Sequence, residues 1–198
     1  MGKLRDTQRY LLENWTTAAV MREEMDGLDQ YVKELTQRVA DNLSKQKPWS
    51  QCEPELSISR WGWFGFWRKP EWRLDWEKGY WVTVAVGGLV LNRMLGHDED
   101  APDAHIWIPL GEGAEKTKQL RELIRVEAKS VIDELMKEHK EKVGGDRAFG
   151  YVLPHTPKQW IELLDAGRFE DEVTRHFNTL ARFIEPVDRA LRAIRKSR

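Results

Sequence analysis

Two stretches decide the fold: Trp61-Gly-Trp-Phe-Gly-Phe-Trp67, and after a short interval Tyr80-Trp-Val-Thr-Val-Ala-Val-Gly-Gly88. Both are dense in the aromatic and β-branched residues that suit a pleated surface, so each reads as a strand. Side chains alternate across a strand, which puts Trp61, Trp63 and Trp67 on one face and Phe64 and Phe66 on the other. Upstream, Leu56 and Ile58 alternate with Ser57 and Ser59, the period of a sheet with one buried face. Arg68-Lys-Pro-Glu71 reads as a turn, Glu71 to Trp76 as a strand, and Glu77-Lys-Gly79 as the turn into Tyr80–Val86. Gly87-Gly88 predicts a two-residue hairpin, with Leu89 to Leu95 returning along it. After an acidic loop, His97-Asp-Glu-Asp100, a short strand is expected from His105 to Ile108. Residues 53–110 therefore read as an antiparallel β-meander.

On either side the period changes to that of helices. Leu11, Trp15, Ala18, Met21, Met25, Leu28, Val32, Leu35, Val39 and Leu43 fall at steps of three and four, one apolar stripe along a helix. Asp26-Gly27 is its weak point, where either the helix continues or two helices meet, and Lys47-Pro48 closes the segment. Past Gly113 the helical spacing resumes with Leu120, Leu123, Ile124, Ala128, Val131, Ile132 and Leu135, and Gly144-Gly145 is the expected cap. Phe149 to Leu153 reads as one more strand. Thr156-Pro-Lys-Gln159 has the hydroxyl, proline and glutamine of a capping box. The last helical stripe runs from Phe169 to Ile194, with Pro186 expected to kink or divide it. The order helix, meander, helices predicts a single α+β domain over residues 1–198: a helical segment at 1–46, the meander at 53–110, and a mainly helical part at 113–198. In that arrangement the Trp-rich sheet packs against the long N-terminal helix and the C-terminal helices, which cover one of its faces.

Composition sets the function classes. At 40% hydrophobic and 33% charged residues over 198, the chain has enough apolar material for a core and is no disordered tail. The formal net charge of −1 argues against a generic polyanion binder and leaves a local basic patch open. No apolar run is long enough for a membrane span and no signal-peptide pattern follows Met1, so a cytoplasmic protein is expected. The single cysteine, Cys52, excludes a disulfide framework and a multi-cysteine zinc site.

The motifs with catalytic potential are weak. Pro102-Asp103 with Glu127-Ala-Lys129 matches the carboxylate and lysine pattern of PD-(D/E)XK nucleases, whose chemistry needs the later pair on a strand. Glu127 and Lys129 lie in a helical stripe and point about 200° apart around its axis, so they do not converge on one metal. Asp98, Glu99, Asp100 and Asp103, between His97 and His105, read as a solvated loop. His139, His155 and His176 are scattered, show no HExxH-like pairing and read as surface or packing residues, and Cys52 reads as a small, partly buried apolar group. No metal, cofactor or catalytic residue is assigned. What remains is the density of tryptophan, ten in all. Trp61, Trp63, Trp67, Trp72, Trp76 and Trp81 are interleaved with Arg60, Arg68 and Arg73, and one helical layer cannot cover aromatics on two faces. These nine residues are the candidate binding surface, against the plainer reading of a thick aromatic core with arginines at its rim.

The aromatic strand Trp61–Trp67, Lys69-Pro-Glu-Trp72, the run Tyr80–Val86, Trp160, and the segment from Phe169 through Val187-Asp188 give the chain a resemblance to a known family. From Ile58 onward it resembles the accessory region that follows the nuclease core in some prokaryotic PD-(D/E)XK-superfamily proteins. That resemblance implies an accessory role in phage–host conflict, and here only a long helix precedes the matching part. The leading expectation is a non-catalytic protein-binding module acting through the aromatic sheet in a phage-defence or anti-defence setting, with a protein partner. A homodimer through the 11–43 helix is expected to accompany it. The alternative is single-stranded nucleic-acid binding by Trp and Arg stacking. A metal-dependent hydrolase with its site near the 97–105 loop is third.

Overall fold

The computed structural model describes residues 6–58, 62–76, 80–97, 100–109, 114–142, 144 and 146–196. It is an α+β fold: five strands form one antiparallel sheet whose spatial order is the chain order, β1 to β5. The strands are β1 (Glu53–Ser57), β2 (Trp63–Trp67), β3 (Thr83–Gly87), β4 (Asp103–Trp107) and β5 (Arg147–Val152). Helices α1 (Asp6–Glu13) and α2 (Trp15–Leu43) precede the sheet. A short α3 (Leu91–Met94) lies between β3 and β4, and α4 (Ala114–Glu127) and α5 (Lys129–Leu135) lie between β4 and β5. Three helices follow: α6 (Pro157–Asp165), α7 (Phe169–Leu180) and α8 (Ile184–Lys196).

One face of the sheet carries the core. Phe64 and Phe66 of β2, Val84 and Val86 of β3, Ala104 and Ile106 of β4, and Phe149 and Tyr151 of β5 are all buried on it. Phe177 of α7 stacks on Phe64 at 4.5 Å and meets Phe66 edge-on at 5.5 Å. Trp49 stacks on Phe66 at 5.0 Å. The helical stripes supply the lid: Phe169, Val173, Phe177 and Leu180 of α7, and Val187, Ala190, Leu191 and Ile194 of α8, recur at steps of three and four and are buried. The capping box at Thr156 forms as its sequence implies, with the Gln159 amide N donating to Thr156 Oγ1 and the Thr156 amide N donating to Gln159 Oε1.

Several sequence expectations are corrected. Of the two outcomes open at Asp26-Gly27 the continuous helix is the one found, α2 running through the pair, and the irregularity falls at Asn14, between α1 and α2. Of the long stripe only Val32, Leu35, Val39 and Leu43 are buried; Leu11, Trp15, Met21, Met25 and Leu28 are exposed. Gly87-Gly88 does not make a hairpin. Gly88 has φ of 78°, and the chain passes through Leu89 into α3, so Leu89–Leu95 is no strand. The Leu89 amide instead donates to Gly62 O at 2.9 Å, holding that connection against the start of β2. The strand expected at 71–76 reduces to one bridge between Arg73 and Trp81, though its alternation survives: Trp72 and Leu74 are buried, Arg73 and Asp75 exposed. β4 begins at Asp103, earlier than expected, which takes that residue out of the acidic loop and into the sheet. Gly144 lies well beyond the end of α5 and caps no helix. Pro186 sits in the first turn of α8, and the division it implies is the 3₁₀ turn Ala181–Phe183. Among the described residues no helix is long and apolar enough to cross a membrane.

Candidate functional site

The second face of the sheet carries no helix among the described residues; its own side chains roof it. Alternation from the core residues puts Glu55 and Ser57 of β1, Trp63, Gly65 and Trp67 of β2, and Thr83, Ala85 and Gly87 of β3 on this side. Asp103, His105 and Trp107 of β4 and Gly150 of β5 join them. The middle of the face is small: a Cβ added to Gly65 would lie 2.5 Å from Thr83 Cγ2, and one at Gly87 would lie 2.9 Å from Trp63 Cδ1. Large rings therefore lie low over a glycine and alanine floor. Trp67 and Trp81 stack at 4.4 Å, and Trp63 meets Trp107 edge-on at 6.5 Å. All four rings are half-buried. Beside this pair an open cavity of about 450 Å³ is lined by Trp63 and Trp107 together with Glu55, Arg93, Asp103, His105 and Arg147.

The polar groups of this cavity are held by one another. Glu55 Oε2 accepts from Trp81 Nε1 at 2.8 Å and from Thr83 Oγ1 at 3.3 Å. Trp63 Nε1 donates to His105 Nε2 at 3.2 Å, which assigns the imidazole proton to Nδ1. His105 Nδ1 lies 3.3 Å from Asp103 Oδ2, outside good hydrogen-bond geometry, and so acts as an electrostatic contact. Arg147 Nε donates to Asp103 Oδ2 at 2.8 Å. Burial works to raise the Asp103 carboxyl, but the His105 imidazole and the Arg147 and Lys142 cations outweigh it, and the group is held below the usual carboxylate range. The site thus presents two indole edges, a buried carboxylate with its arginine, and both signs of charge at its rim.

The nine expected binding residues divide. Trp63, Trp67 and Trp81 lie on this face. Trp72 does not: it is fully buried, and its Nε1 donates to Asp188 Oδ1 of α8 at 2.7 Å. Arg68 Nη1 donates to Asp188 Oδ2 at 2.6 Å, so the arginine expected to serve a ligand fastens the 68–72 turn to α8. Trp76 packs on the core and donates to Thr117 Oγ1 of α4 at 3.2 Å. Arg73 is exposed, away from the cavity lining, and its carbonyl accepts from Arg195 Nη2 at 2.8 Å. Arg60 and Trp61 lie outside the described residues. Trp107, His105, Asp103, Glu55 and Arg147 were not among the nine; the alternation His105-Ile-Trp107, with Ile106 in the core, was the signal for two of them.

The nuclease-like pattern disperses as its helical spacing implies. Glu127 Oε2 accepts from Arg189 Nε at 2.6 Å, and Lys129 Nζ donates to Asp133 Oδ2 at 2.7 Å. In the acidic loop Asp100 pairs with Lys142 at 2.6 Å; Asp98 and Glu99 lie outside the described residues. Cys52 is half-buried, and burial pushes its thiol up to about 11, in keeping with a small apolar group.

Folding gathers the histidines that lie scattered in the sequence beside α7. Glu172 Oε1 lies 2.6 Å from His155 Nε2 and 3.1 Å from His176 Nε2. Tyr151 Oη is 3.1 Å from His176 Nδ1, and His139 stacks on the Tyr151 ring at 4.5 Å. His155, Glu172 and His176 have the donor types of a metal centre. A cation already serves them, however. Arg175 donates to both Glu172 oxygens, at 3.0 Å through Nε and 2.5 Å through Nη2, and the same Nη2 is 3.4 Å from His176 Nε2. Hydrogen bonds from His176, Arg175 and His155 hold the Glu172 carboxyl far below its usual range against the effect of burial. Burial pushes the His176 imidazole down. The cluster is a closed polar network that ties β5 and the 153–156 turn to α7.

No protein-family model, no curated protein and no solved structure matches this chain.

Proposed function

We propose that the chain is a non-catalytic binding protein whose helix-free sheet face receives a segment of a partner protein. One observation carries this reading: a sheet face roofed by four half-buried tryptophans, with an open cavity of about 450 Å³ lined by Trp63 and Trp107. Tryptophan and arginine around a concave, partly apolar centre are the composition of a protein-recognition site, where a few aromatic anchors dominate the binding energy. The carboxylates Glu55 and Asp103 in the same cavity favour a protein segment of mixed charge over a phosphate backbone. The interlocked polar groups favour recognition over turnover, since His105 already spends its second nitrogen on Trp63. An accessory role in a phage-defence or anti-defence setting, which the family resemblance implies, accords with a binding module.

The test is to pan a random linear peptide library on the full chain and to measure the enriched peptides by fluorescence anisotropy. Trp63→Ala and Trp107→Ala are each expected to weaken binding about tenfold or more, as anchor residues do. Failure to enrich any peptide, or affinity unchanged in both variants, overturns the reading. Tight binding of a labelled single-stranded oligonucleotide at low salt, lost in the same variants, would replace it with the nucleic-acid alternative.

A further inference from the structure

The N-terminal helices form an arm that leaves the body. The backbone ladder continues across the α1–α2 break, with the Asn14 amide donating to Tyr10 O at 3.0 Å and Ala18 to Asn14 O at 2.9 Å. From Asp6 to Tyr31 the arm is roughly 40 Å long at about 1.5 Å per residue. Its apolar stripe continues the face that Val32, Leu35 and Val39 bury against the body, yet Trp15, Met21 and Met25 are 66%, 63% and 64% exposed. Helices in proteins draw most of their stability from packing an amphipathic face, and this part of the stripe has no cover among the described residues.

We infer that the cover is a second copy of this chain, its arm lying antiparallel about a two-fold axis near Ala18. The inference stands apart from the reading of the sheet face. Three observations select this occupant. The stripe is self-complementary about Ala18: Trp15 of one copy falls opposite Met21 of the other and Leu11 opposite Met25, while the small Ala18 side chains meet at the crossing and let the backbones approach. Charge sets the direction, since a parallel pair would place Glu23, Glu24, Asp26 and Asp29 beside their own copies. The antiparallel pair places them beside residues 7–13, where Glu13 is the one carboxylate. Area is of the right order: Leu11, Trp15, Met21, Met25 and Leu28 together expose on the order of 600 Å² per copy, so their complete cover in a pair would bury about 1,200 Å², the lower bound of stable specific interfaces. The homodimer expected through residues 11–43 is thereby confined to the arm, because the 32–43 half of the stripe is occupied by the protein's own core.

Light scattering on the full chain at tens of micromolar is expected to give twice the 23.3 kDa chain mass. The double variant Trp15→Glu, Met21→Glu alters exposed side chains only, and is expected to give the single-chain mass with an unchanged far-ultraviolet spectrum outside the arm's contribution. A single-chain mass for the unaltered protein, or a dimer that survives the double variant, overturns the inference. Direction is read by crosslinking in a Cys52→Ser background. A Leu11→Cys chain mixed with a Met25→Cys chain is expected to form a disulfide-linked pair on mild oxidation. Efficient crosslinking of each chain with itself in separate reactions would mean a parallel pair and would also overturn it.

Discussion

Replacing Asp188 tests whether Arg68 and Trp72 are structural fasteners or part of a binding surface. Its carboxylate accepts from the fully buried Trp72 indole at 2.7 Å and from Arg68 at 2.6 Å. Asp188→Ala leaves a buried indole N–H without an acceptor, at about 1–3 kcal/mol. It also frees Arg68, whose side chain is 26% exposed, so that water recovers part of its hydration and the lost pair adds at most about 1 kcal/mol. The total is roughly 1–4 kcal/mol, or about 2–16 °C of melting temperature in a domain of this size. Asp188→Asn keeps an oxygen for the indole and removes only the charge, so it should cost less than half as much. Thermal unfolding followed by circular dichroism, with urea midpoints as a second measure, reads both variants. A melting temperature unchanged in Asp188→Ala, or equal losses in the two variants, would refute the claim that Asp188 fastens the aromatic turn to α8.

Acid should destabilise the protein from about pH 6.5 downward. His176 is held neutral by burial, its folded pKa lying below the unfolded value, so its stabilising contribution is present above pH 6.5 and is lost as the unfolded chain gains the proton. Glu172 and Asp103 are likewise lowered, and they add further loss as pH falls through the ordinary carboxylate range. Urea midpoints from pH 7.5 to 4 check this, and a flat or rising midpoint contradicts it. Thr156→Ala removes the cap of α6 and should cost about 1 kcal/mol in urea unfolding; no change would mean the box contributes nothing. Gly65→Ala should cost about 1–3 kcal/mol, because its new Cβ would lie 2.8 Å from the Val84 carbonyl as well as crowding Thr83. A neutral result in the same assay would show that the sheet floor is not close-packed.

What the sequence made legible was set by short-range periods. The alternation of Trp63, Phe64, Gly65, Phe66 and Trp67 assigned the two sheet faces, and the steps of three and four assigned α2, α4, α7 and α8. Local patterning carries no information about which face the helices cover or how far the body reaches along α2. For that reason Trp72 and Arg68, committed to Asp188 more than a hundred residues away, read as binding residues, and Leu11 to Leu28 looked the same as Val32 to Leu43. Gly87-Gly88 misled because a positive-φ glycine suits a hairpin and equally suits the turn that Gly88 makes toward α3. The polar half of the candidate site was invisible for a similar reason: Asp103 counts with the loop acids by proximity, and only the register of β4 against β3 and β5 brings it to Arg147. Glu172 and His176, one helical turn apart, were the trace of the α7 network, but His155 and Tyr151 reach it only through the packing of β5.

The most direct test of the central claim is hydroxyl-radical footprinting of the full chain, read ring by ring by mass spectrometry. Trp63, Trp67, Trp81 and Trp107 should oxidise readily while the fully buried Trp49, Trp72 and Trp160 stay protected. If Trp63 and Trp107 prove as protected as Trp49, the sheet has no open aromatic face, and the binding surface described for it does not exist.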